Sequence, residues 1–280
     1  MDSYVFTIFA LVLMIAFIRI KRRLTAVDVI INKLRKSRHH LRLGDMAELD
    51  ARTNGRIKLT NLENLTAQLK QLGFCFLGDI FDDVTYDQIP FRKNLPIVDP
   101  HQELEPPSTK VTQTTGISRV FGHPVHGCYA LLASAVTITH SDSASGLQEN
   151  IAISPFRVSI QSKTKSADAP WFFINDTRDD SPLLSLFRHP RRLGHRMSAA
   201  TPEQLLQTHL VERDDIAKRG NFEWEMEPSI EKHRTHEAET LRHLYEVNRK
   251  ISTLRFTLYL FTYKFKNHDW WLGDLEKQEK

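Results

Sequence analysis

Phe156-Arg157-Val158-Ser159-Ile160-Gln161 is the stretch whose reading decides the fold. Apolar Phe156, Val158 and Ile160 alternate with polar Arg157, Ser159 and Gln161. Successive side chains of a strand point to opposite faces, so the period of two predicts a strand with one buried and one polar face. Pro155, just ahead of it, marks an edge or a bulge. Further β-type runs lie around it: Ile117 to Phe121, Cys128 to Thr139, Ile151 to Ser162 and Trp171 to Asn175. Ser141-Asp-Ser-Ala-Ser-Gly146 supplies turn chemistry between two of them. Connections this short force mostly antiparallel pairing, so residues 116–175 read as a small meander.

Upstream, Phe74 to Ile80 is another strand candidate. Residues 81–115 hold prolines at 90, 96, 100, 106 and 107 and read as an extended loop. Thr60-Asn-Leu-Glu63 has the spacing of a capping box, and Leu62, Leu65, Leu69 and Leu72 form one stripe closed by Gly73, which predicts a helix over 60–72. Thr201-Pro-Glu-Gln204 opens a second helix over 201–218. A long C-terminal helix is expected over 229–252, with Leu244, Val247 and Ile251 at three- and four-residue spacing. Residues 253–265 continue that spacing but are rich in aromatic and β-type residues, so helix and strand both stay open there.

The first twenty residues have another character. Tyr4 to Ile18 is uncharged and is followed at once by Arg19, Lys21, Arg22 and Arg23. As a helix, Ser3 to Ile18 would extend about 24 Å against a hydrocarbon core of ~30 Å. The expectation is a single transmembrane helix over 1–20, a signal-anchor rather than a cleaved leader, because the positive charges follow the apolar run and no small-residue cleavage site precedes them. Those charges imply an outside N-terminus and a cytoplasmic body. Residues 21–43 then read as a basic amphipathic juxtamembrane helix with Leu24, Val27, Ile31 and Leu34 as its stripe. The whole is thus expected to be α+β: a membrane span, a neck, and a body over 44–280 of antiparallel strands flanked by helices.

The net charge of +4 is unevenly placed. Residues 1–42 hold nine Lys/Arg and two Asp, whereas the remainder holds twenty-nine Lys/Arg and thirty-two Asp/Glu. Lys21, Arg22, Arg23, Lys33, Arg35, Lys36, Arg38 and Arg42, together with Arg188, Arg191 and Arg192, are the candidate anion- or lipid-binding residues, since guanidinium and ammonium groups suit phosphate and acidic headgroups. No stacking aromatics are interleaved with them, which argues against nucleic acid. Two cysteines in 280 residues suit a reducing compartment.

Phosphate-loop, dinucleotide, C-x-x-C, H-E-x-x-H and G-x-S-x-G patterns are all absent. His123-Pro-Val-His126-Gly-Cys128 places three potential metal ligands within six residues, and a thiol beside imidazoles is a nucleophile–base set, but a solvated turn between two strands accounts for it with no metal and no cofactor. His233, His236 and Glu237 share a helix face, which reads as hydrated. The resulting expectation is a membrane-tethered cytoplasmic interaction or scaffold protein that contacts the bilayer through 3–20 and a protein partner through its body. The alternatives are a metal- or thiol-dependent hydrolase centred on His123, His126 and Cys128, and an anionic-lipid or phosphate-binding module.

Overall fold

The structure is a computed structural model that describes residues 37–52, 59–86, 110–143, 146–165, 171–175, 192–197 and 199–252, with isolated positions 32, 255, 256 and 258. Its centre is an eight-stranded sheet: β1 (Ser37–Gly44), β2 (Cys75–Tyr86), β3 (Lys110–His123), β4 (Cys128–Ser143), β5 (Gly146–Ile153), β6 (Arg157–Ser162), β7 (Trp171–Asn175) and β8 (Arg192–Arg196). The order is β1-β2-β3-β4-β6-β7-β8, with β5 paired to the far half of β4. All pairings are antiparallel except β7 with β8. β4 is long enough to carry two partners on one side: Tyr129–Ala133 pair with β6 and Val136–Ser143 with β5.

Four helices accompany the sheet: α1 (Met46–Arg52), α2 (Leu59–Gln71), α3 (Pro202–Gly220) and α4 (Ile230–Lys250). Alternation along the strands separates two apolar faces. One face carries Phe81, Ile117, Phe121, Ala130, Leu132, Val158 and Ile160, and packs against Leu62 and Leu69 of α2 and Leu205 and Leu206 of α3. The other carries Ile80, Val120, Tyr129 and Leu131 and packs against Ile230 of α4. Phe81, Phe121, Leu132 and Ile160 are each wholly buried, and burial of such a side chain contributes about 1.5–3 kcal/mol.

Helix ends follow from local chemistry. Thr201 and Gln204 close a reciprocal capping box, with Thr201 Oγ1 accepting from the Gln204 N–H and Gln204 Oε1 accepting from the Thr201 N–H. α2 ends at Gly73, whose φ of +89° lets the Phe74 N–H reach back to the Leu69 carbonyl at 3.1 Å. Ser229 caps α4 by accepting from the Lys232 N–H. Its backbone N–H and carbonyl are both held by the Tyr129 hydroxyl, at 3.0 and 3.3 Å, which pins the start of α4 to the sheet.

Three expectations are corrected. The described residues form an α+β body in which no helix is long and apolar enough to cross a membrane, against the fold class that included a transmembrane helix. The single-pass, signal-anchored description therefore finds no support in the described residues. Residues 1–20, where that helix was placed, lie outside the described residues. Second, residues 37–43 of the neck expected over 21–43 belong to β1, not helix, because β1 is registered against β2 by eight consecutive residue pairs. The three- and four-residue spacing belonged to Leu24 through Leu34, ahead of the strand. Third, the loop set at 81–115 is too wide. Residues 81–86 complete β2 and 110–115 begin β3, since the prolines start only at Pro90 and Phe81, Val84 and Thr115 are buried. In the segment left open, Arg255, Phe256 and Leu258 are helical.

Candidate functional site

His123 and Cys128 face each other as the last pair of the β3–β4 hairpin, with Pro124 to Gly127 as its turn. His123 is buried and both ring nitrogens are occupied. Nε2–H donates to the Leu72 carbonyl at 3.0 Å, and Nδ1 accepts from the N–H groups of Val125 and His126 at 3.3 Å. The ring thereby joins the end of α2 to the hairpin turn. Burial, and then the neighbouring His126, push its pKa below the usual histidine range, so it is held neutral. Burial pushes the Cys128 thiol up to about 12, which leaves it protonated and inert at neutral pH. A metal or a thiolate nucleophile here would have to break these contacts, and no three His, Cys, Asp or Glu converge on a metal position among the described residues.

The basic candidates divide similarly. Arg42 on β1 donates to Asp83 at 2.7 Å and to both oxygens of Glu48, and those bonds raise its pKa further. Its charge is consumed inside the fold. Arg38 and Arg192 belong to β1 and β8, and nothing is described of their side chains. Lys21, Arg22, Arg23, Lys33, Arg35, Lys36, Arg188 and Arg191 lie outside the described residues.

The structure assembles a polar group that the sequence reading left apart. Ser162, at the end of β6, places Oγ 2.8 Å from Nε2 of His209 on α3, and Arg213 one turn on donates to Ser162 Oγ and to the His126 carbonyl. On the opposite face Lys163 donates to Nδ1 of His233 at 3.2 Å and lies 4.8 Å from the centre of the Tyr129 ring. A serine hydrogen-bonded to an imidazole is the geometry of a nucleophile and its base, yet Ser162 and His209 are both fully buried. With no solvent contact the pair serves to tie α3 to the sheet, and Lys163 and His233 tie α4 to it. The legible signal is a polar side chain within an apolar stripe: Leu205, His209, Arg213 and Ile216 share one buried face of α3.

The open feature is a cleft of about 560 Å³ between α4 and the edge strand β1, lined by Leu41, Arg234, Thr235, Ala238, Glu239 and Arg242. Residues 234, 238 and 242 form one row along the helix. The small Ala238 makes the depression and exposed arginines stand at both ends. Among the described residues no hydrogen bond or ion pair involves either guanidinium. Glu239 lies beside the row, with His236 at 3.9 Å. Tyr245, one turn beyond Arg242, accepts the His39 N–H.

In comparisons with known proteins, no family model, no curated protein and no solved structure matches the chain.

Proposed function

We propose that this protein is an interaction or scaffold protein that binds a partner protein along α4 and the β1 edge. The observation that carries the reading is the cleft flanked by Arg234 and Arg242 beside the terminal strand of the sheet. It is supported by where the reactive groups sit. Ser162, His209, Lys163, His233 and Cys128 are all buried and engaged in holding helices and strands together, whereas the exposed cations at the cleft have no described partner. Arginine is enriched at the centres of protein interfaces because its planar fork grips carboxylates in two places. Two free cysteines fit a reducing, cytoplasmic setting for this role.

Affinity isolation with the full chain and with an Arg234→Glu/Arg242→Glu variant tests the proposal. A partner held by the wild type and lost from the variant, with circular dichroism unchanged, is the expected result. A partner retained equally by both sinks this surface as the site.

A further inference from the structure

We infer that the cleft takes an extended acidic peptide, added as a further strand to β1, with two carboxylates spaced four residues apart set against Arg234 and Arg242. The inference rests on the interaction reading above and names the partner's chemistry.

The edge supplies the backbone groups. Among the described residues β1 is terminal in the sheet order and pairs only with β2. In an antiparallel pair, residues alternate between those that exchange both hydrogen bonds with the neighbour and those that point both groups away. His39 gives its N–H to Tyr245 and not to β2, so it belongs to the outward set. Leu41 and Leu43, two and four residues on, belong to it as well, and their N–H and C=O groups face away from β2. Tyr245 stops the edge at His39, which leaves Leu41 to Leu43 as the pairing segment that no other described strand occupies. Leu41 also lines the cleft, so the pairing groups and the arginines border the same space.

The helix supplies the charge and its spacing. α4 starts over Tyr129 of β4, which Ser229 and His233 contact, and crosses the sheet to reach β1 at Leu41 and His39. Eight residues of helix separate Arg234 from Arg242 by about 12 Å. Along a strand, side chains on one face recur every second residue, so they stand about 7 or 14 Å apart at ~3.4 Å per residue. A spacing of four matches the two guanidiniums better than a spacing of two, and a spacing of three turns one carboxylate to the far face. Glu239 lines the cleft as well, so the two arginines leave it with a net positive charge of one. Glu239 lies near His236, Asp82 is 2.6 Å from Nδ1 of His39, and Arg42 points to the opposite face, where Asp83 and Glu48 hold it. An acidic strand therefore meets backbone groups to pair with and two cations to neutralise, the combination by which a peptide is read through strand addition.

The test uses the full chain and fluorescein-labelled, acetylated nonapeptides of alternating Val and Thr. One carries Glu at positions 3 and 7, a second Lys at both, and a third Glu at positions 3 and 6. Anisotropy titration reads affinity, and residue-resolved amide exchange reads Leu41 and Leu43. The four-spaced Glu peptide binds at least roughly tenfold tighter than the Lys peptide, Arg234→Ala and Arg242→Ala each weaken it roughly fivefold, and exchange at both leucines slows on binding. Equal affinity for the Glu and Lys peptides overturns the inference, as does arginine-dependent binding that leaves Leu41 and Leu43 exchanging at their free rates. Inorganic phosphate and phosphatidylserine vesicles are titrated in parallel, and arginine-dependent binding of either without the peptide also overturns it. In each of these cases a protein partner lost from the Arg234→Glu/Arg242→Glu variant leaves the interaction reading standing, so the two fail separately.

Discussion

Gly44→Ala gives a sharp test of how β1 seats on the sheet. A Cβ at Gly44 falls 1.9 Å from Cδ2 and Cε2 of Phe81, whereas ordinary contacts of that kind lie at 3.4–4 Å. The ring would have to retreat by about 1.5 Å. Phe81 is wholly buried, and the Arg42 guanidinium stands 5.0 Å from its ring centre, fixed by Asp83 and Glu48, so there is little room to turn. Overpacking of a filled core costs about 1–3 kcal/mol, and the gain of up to ~1 kcal/mol from replacing a strand glycine offsets part of it. A net loss of about 1–2 kcal/mol follows. The cause is steric, so the cost should fall to within ~0.5 kcal/mol in a Phe81→Leu background, where the ring atoms it meets are gone. Urea unfolding of the four proteins of this cycle, followed by tryptophan fluorescence, gives both numbers. Gly44→Ala at wild-type stability, or with the same cost in both backgrounds, would refute the packing argument.

Alkylation separates the two thiols: with a pKa of about 12, Cys128 has a thiolate fraction on the order of one in ten thousand at pH 8, against about one in ten for an ordinary thiol. Iodoacetamide should modify exposed Cys75 and spare Cys128 until urea is added, and rapid labelling of Cys128 in the folded protein would revive the thiol-enzyme reading. Glu212 is raised to about 7 by burial, so the folded state holds a proton that the unfolded state releases near 4.5. Stability contributed at this site is therefore present below pH 4.5 and is lost as pH rises toward 7. Glu212→Gln should be more stable than the wild type at pH 8 and equal to it at pH 4, as read from thermal melts, and equal stability at both would show that the carboxylate is hydrated.

Where local chemistry and tertiary structure agree, the chain can be read directly. Trp171 to Asn175 is β-rich and forms β7 with those bounds. Thr201 and Gln204 cap a helix whose start is local in cause. The sequence fails where a distant partner decides. Residues 37–44 follow a helical stripe, and only pairing with β2 makes them a strand. The site was less legible than the fold. His123 and Cys128 looked like ligands because their types and spacing were visible, while the carbonyl of Leu72 that occupies His123 was not. Ser162 and His209 are 47 residues apart, and Arg234 and Arg242 look like any solvated helix face until β1 is set beside them.

The hydrogen bond between His39 and Tyr245 joins residues 206 positions apart. The face of Ile80, Val120, Tyr129 and Leu131 is closed by α4, which begins only at Ile230. During synthesis at about 5–20 residues per second, Leu131 would wait roughly 5–20 s before Ile230 is made, with that apolar face open to water, to chaperones or to other nascent chains. The loop-closure cost of joining chain segments so far apart grows only slowly with length, so the delay is kinetic more than thermodynamic. A chain ending at Gly220 would keep α2 and α3 on one side and carry the other side bare, which makes α4 the element whose arrival ends the protein's exposure to aggregation.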